Sequence, residues 1–165
     1  MTKLGLFYKN FAAHQGISHI GLGVSALNNA KVLQKHGIRT SIWPTNTPQQ
    51  LRDRLKVTPD LTHCVISAAW LPTVDLARIT LDYPMVEFIV NIHSNVGFLQ
   101  SDPNGVKLIR QNIDLEQGHM NFRVSGNSKK FVRWVRDAYQ APCSYLPNMY
   151  YLDYSTRTTR HPWQE

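Results

Sequence analysis

Residues 86–95 read Val86-Glu87-Phe88-Ile89-Val90-Asn91-Ile92-His93-Ser94-Asn95. Successive side chains of a strand point to opposite faces. Val86, Phe88, Ile89, Val90 and Ile92 fall on both, so both faces are expected to be covered. A strand of this kind belongs in the middle of a parallel sheet packed between helices, because an antiparallel sheet with one wet face shows alternation instead. His93, Ser94 and Asn95 then leave the carboxyl end of the strand, where open parallel sheets bind their ligands.

The pattern repeats outward from this segment. Strands are predicted at Thr62–Ser67, Ile38–Trp43 and Lys3–Tyr8 on the amino-terminal side, and at Met120–Val124 and Ser144–Leu146 on the other. Helical periodicity fills the intervals. One helix runs from about Leu22 to His36 with Val24, Leu27, Ala30 and Leu33 inward, and Gly37 supplies its left-handed stop. Pro48 opens a helix through Leu55, and Pro72 opens another to about Asp82. A turn at Asp102–Gly105 precedes a helix to about Ile113. Asn127 or Ser128 caps the last, which runs to Tyr139 and buries Phe131 and Val135. Regular alternation of strand and helix predicts an α/β fold with a doubly wound, mostly parallel, Rossmann-like sheet of about six strands and helices on both faces.

The chain has 165 residues, the length of one domain. No segment approaches the ~20 consecutive apolar residues of a membrane-spanning helix, and the amino terminus lacks the layout of a secretory signal. Cys64 and Cys143 make no disulfide framework, which points to a reducing, cytoplasmic setting. The formal net charge is +7. Arg123, Lys129, Lys130, Arg133 and Arg136 crowd near one helix. That cluster is either a solvated face or a surface for phosphates of any kind, whether of nucleic acid, anionic lipid or sugar nucleotide, with Lys129, Lys130, Arg133 and Arg136 the residues to meet a nucleic acid.

The carboxyl-end rule selects the candidate site. Asn10 follows the first strand, Trp70 the third, Ser94 and Asn95 the fourth, Asn127 the fifth and Asn148 the sixth. These are expected to line the cleft. His93 is the sharpest of them: an imidazole there can donate to a sugar hydroxyl or a phosphate, or serve as a base. The loop Gly16-Ile-Ser18-His19-Ile-Gly21-Leu-Gly23 precedes a helix, and glycines there let backbone N–H groups approach an anion. Its spacing departs from G-x-G-x-x-G and no acid closes the second strand, which disfavours a dinucleotide. Gly21 and Gly23 also suit close helix–strand packing. Asp102-Pro-Asn-Gly105 reads as a turn with a helix cap rather than a metal site, so no metal is assigned. No cofactor is expected, only a co-substrate.

Together these segments resemble a known family. Lys3-Leu-Gly-Leu-Phe-Tyr8, then Gly16-Ile-Ser-His-Ile-Gly21, a helix containing Ala26-Leu-Asn-Asn-Ala-Lys-Val-Leu33, and Lys35-His-Gly-Ile-Arg-Thr-Ser-Ile-Trp43 are similar to the opening of family 4-like glycosyltransferases. Phe88-Ile-Val-Asn-Ile-His93-Ser94 resembles that family's strand ending in a histidine beside the sugar. Tyr145-Leu-Pro-Asn148 resembles the step before the crossover to a second lobe. The likeness covers about residues 3–150 and implies the N-terminal, acceptor-holding lobe of a two-lobed (GT-B) transferase. It implies a nucleotide-sugar donor, an acceptor, and a C-terminal donor-binding lobe as partner. By the resemblance, Gly16 approaches the donor's diphosphate and His93 contacts the transferred sugar, while Ser18 and His19 are placed by position alone. The family's Glu-x7-Glu pattern is absent, since the glutamates are Glu87, Glu116 and Glu165. A donor lobe is therefore expected to be missing, with residues 151–165 a tail or the start of a linker, and little activity is expected from this chain alone. The alternative reading is a non-catalytic module that binds polyanions or nucleic acid.

Overall fold

The computed structural model describes residues 2–10 and 20–152. Its strands are β1 (Lys3–Tyr8), β2 (Arg39–Pro44), β3 (His63–Ser67), β4 (Glu87–Ile92), β5 (Phe122–Gly126) and β6 (Ser144–Tyr145). Its helices are α1 (Ile20–Lys35), α2 (Pro48–Lys56), α3 (Thr73–Asp82), α4 (Val96–Leu99), α5 (Pro103–Gly118) and α6 (Lys129–Tyr139). Every strand pair is parallel, in the order β2-β1-β3-β4-β5-β6. The α/β doubly wound class read from residues 86–95 is the observed one. Within that class the order is the flavodoxin-like one, in which the winding reverses between β1 and β3.

Strand alternation sorts the helices into two layers. Phe7, Cys64, Ile66, Phe88, Val90, Phe122 and Val124 share one core with Leu51, Leu76, Ile113 and Phe131, so α2, α3, α5 and α6 cover that face. Leu6 and Val65 share the opposite core with Ala26 and Ala30 of α1. Crossovers that step one way put their helices on one face, and the single crossover that steps back puts α1 on the other.

Local chemistry fixes the element ends. α1 stops at a left-handed Gly37, where the Ile38 amide donates to Leu33 and the Gly37 amide to Gln34, each at 3.0 Å. Thr47 and Gln50 form a reciprocal capping box at α2. Asp102 accepts from the Gly105 amide at 2.9 Å ahead of Pro103, so the Asp-Pro-Asn-Gly segment is a helix cap.

Several sequence expectations need correction. Val24 and Leu27 do not face the core: they are 51% and 46% exposed, while Ala26 and Ala30 are buried. α1 packs close to the sheet through small residues, and a Cβ on Gly23 would sit 3.1 Å from the Tyr8 ring. Gly21 has open space around it, so only Gly23 serves that packing. β5 begins at Phe122, two residues after the expected start, and Met120 is 93% exposed. Pro44 ends β2 from within, which an edge strand tolerates because one side of its backbone has no partner. α4 was not expected, and α5 runs past Ile113 to Gly118.

Candidate functional site

The carboxyl ends of β1, β3 and β4 lie side by side, and the winding reverses between β1 and β3, the point at which open α/β sheets bind their ligands. Ala68, the first residue beyond β3, has φ 79°, a left-handed conformation that costs an alanine about 1–2 kcal/mol. Its amide donates to the Asn91 carbonyl at 2.7 Å, which holds the turn.

Beyond Ala68, Trp70 packs against the main core, yet its indole Nε1 is buried without a hydrogen-bond partner. The ring lines a depression of about 460 Å³ between α3 and α5, together with Thr73, Asn104, Lys107 and Gln111. Asn104, Lys107, Leu108 and Gln111 are spaced i, i+3, i+4, i+7, one face of α5. That spacing is legible in the sequence, although none of the four was selected from it.

His93 follows β4 and is half-buried, with Nε2 sealed from solvent and unpartnered. Burial pushes its pKa down to about 4. At neutral pH the ring is therefore uncharged, which suits a hydrogen bond to a hydroxyl better than an ion pair with phosphate or the work of a general base. Ser94 follows, half-buried. Asn95 is exposed and already engaged, since its Oδ1 accepts from the Gly97 amide at 2.9 Å as the cap of α4. Ser128, not Asn127, caps α6, accepting from Phe131 at 3.1 Å. The Asn127 amide instead donates to the Ile92 carbonyl at 3.0 Å, tying the β5 turn to the end of β4 beside His93.

Asn148 is brought to this region by contacts of the chain beyond β6 that the sequence does not disclose. Asn91, 2% exposed, donates from Nδ2 to the Leu146 carbonyl and accepts from Ser125 Oγ. Three residues on, the Met149 amide donates to Asn29 Oδ1 of α1 at 2.7 Å. Asn148 is thus held between β4 and α1, and its Oδ1 is buried and unpartnered. On the far side the Asn10 amide donates to Asn46 Oδ1, which joins the ends of β1 and β2. Lys9, beside it, has its pKa lowered by partial burial. Gly16, Ser18 and His19 lie outside the described residues.

Among the described residues the buried side-chain polar atoms without partners are Trp70 Nε1, His93 Nε2, Asn148 Oδ1 and Asn112 Oδ1. The first three sit beyond strand carboxyl ends. Burying a polar group unpaired costs about 1–3 kcal/mol, so each of these groups calls for a partner. A hollow of about 480 Å³ also lies at the opposite end of the sheet, lined by Lys3, Gln34 and Arg39. Its groups are already engaged, Gln34 with the Thr40 carbonyl and Lys3 with Asp60, so the chemistry favours the rim.

Among the described residues no group of three or more His, Cys, Asp or Glu is placed to hold a metal, and no helix is long and apolar enough to cross a membrane. Both cysteines are free and buried. Comparison with protein-family models, with curated proteins and with solved structures finds no match for this chain.

Proposed function

We propose that this chain is the acceptor-holding lobe of a glycosyltransferase, working with a donor-binding lobe to transfer a sugar from a nucleotide-sugar. The observation that carries the reading is the set of unsatisfied groups at the rim. Trp70 Nε1 can only donate, Asn148 Oδ1 can only accept, and the neutral His93 Nε2 does either according to tautomer. A sugar hydroxyl offers both a donor and an acceptor, so a polyhydroxylated ligand suits each of the three types. The rim groups are uncharged, which matches a neutral sugar, and the half-buried Trp70 ring provides an apolar face for its C–H surface. His93 acts in this reading by hydrogen bonding to the sugar.

The test is calorimetric titration of the full chain with mono- and disaccharides and with nucleotide sugars. A saccharide is expected to bind weakly. His93→Gln, Trp70→Phe and Asn148→Ala are each expected to weaken that binding about tenfold, the loss of one net hydrogen bond to an otherwise unpaired buried group. Saccharide binding that all three substitutions leave unchanged overturns the reading, as does the absence of binding to every sugar and nucleotide sugar tried.

A further inference from the structure

Helix α6 carries four cations against one carboxylate, Asp137. Lys129, Lys130, Arg133 and Arg136 are all exposed. Ion pairs among the described residues join Lys3 and Arg39 to Asp60, Arg52 to Asp82, and Arg123 to Glu87; none involves α6. Lys129, Arg133 and Arg136 stand at i, i+4 and i+7, a row ~10 Å long at 1.5 Å per residue. With Val132, Asp137 and Tyr145 they line a depression of about 420 Å³ between α6 and the sheet edge. Asp137 is the one acid there, against three cations.

Two further observations choose the partner. Lys129 and Lys130 occupy the first turn of α6, at the positive end of the helix dipole, with no acid in that turn. Helix stability disfavours cations there, whereas a bound anion would meet both ammonium groups and the dipole. Tyr145, on the short edge strand β6, is 46% exposed, and Lys129 Nζ stands 5.8 Å from its ring centre. The apolar side of α6 is committed to the core through Phe131, Val132 and Val135, so the helix has no free apolar face to lay into a lipid surface.

We propose that this face binds single-stranded nucleic acid, with backbone phosphates along Lys129, Arg133 and Arg136 and a base against Tyr145. The inference stands apart from the transferase reading, because it concerns a different surface and needs no sugar.

Fluorescence anisotropy of the full chain with a labelled oligothymidylate of about 16 nucleotides tests it, beside a duplex of equal length and phosphatidylserine-containing vesicles. The single strand is expected to bind best. Its log–log salt slope is expected near −2, about −0.7 for each of three phosphates. Lys129→Gln with Arg133→Gln is expected to reduce the slope to about one third and the low-salt affinity more than tenfold. That pair leaves intact the Arg136 bond to the Cys143 carbonyl, which helps seat α6. Tyr145→Ala is expected to weaken binding about fivefold without changing the slope. Three results overturn the proposal: no binding to the strand at low salt, binding unchanged in the double variant, or vesicles or duplex bound more tightly than the strand.

Discussion

His93 shows how one residue's setting decides its chemistry. A histidine beyond a strand invites a reading as base, but burial lowers its pKa to about 4 and leaves Nε2 unpartnered. The sign of the linkage follows. The unfolded chain takes up a proton on this imidazole as pH falls below about 6.5, while the folded protein resists until about 4. Stability due to His93 is therefore fully present above pH 6.5 and is lost as pH drops through that window, by up to about 3 kcal/mol. Urea unfolding of wild type and His93→Gln between pH 7 and 4 checks this, and the variant is expected to lose less stability over that range. Equal losses in both would mean that the ring titrates normally. Ala68 makes a related point, since nothing in its identity announces a left-handed backbone just beyond β3.

At the scale of elements, the edge of the sheet explains Glu116. β6 pairs with β5 only at Ser125 and Gly126, which leaves the Val124 amide beyond its reach. Glu116 reaches from α5 and accepts that N–H through Oε2 at 3.0 Å. Burial raises the carboxyl's pKa even though this hydrogen bond opposes the shift. Glu116→Ala is expected to destabilise the fold by about 1–3 kcal/mol, the range for an orphaned backbone donor, and Glu116→Gln by much less, because an amide oxygen also accepts. Urea midpoints of the two variants decide it, and equal effects would remove the role. Most elements were legible because each is written locally: apolar runs for β3 and β4, Gly37 and Pro48 as punctuation, Asp102 as a cap. What was not legible depends on contacts. The inward face of α1 is set by how closely Gly23 and Ala26 let it approach the sheet, whereas a reading by apolarity selects Val24 and Leu27. The single turn of α4 is too short to show a period, and its cap consumes Asn95, a residue expected in the cleft.

For the whole molecule, parallel order gathers the site. Six parallel strands deliver residues distant in sequence to one rim, and the winding reverses there between β1 and β3. His93 and Trp70 were predictable as rim residues from their places after β4 and β3. Asn148 was selected too, from its place after β6, but its lodging between Asn91 and Asn29 was not, because it depends on long-range hydrogen bonds that no local pattern encodes. The central claim is that the unpaired groups of Trp70, His93 and Asn148 belong to one ligand site. Nitrogen-resolved NMR of the full chain during saccharide titration tests it most directly, following the Trp70 indole, the His93 imidazole and the side-chain amide of Asn148. All three signals are expected to move together, with one common midpoint, while those of the Lys3, Gln34 and Arg39 hollow stay still. Signals that move with different midpoints, or a saccharide response confined to that far hollow, would contradict the claim.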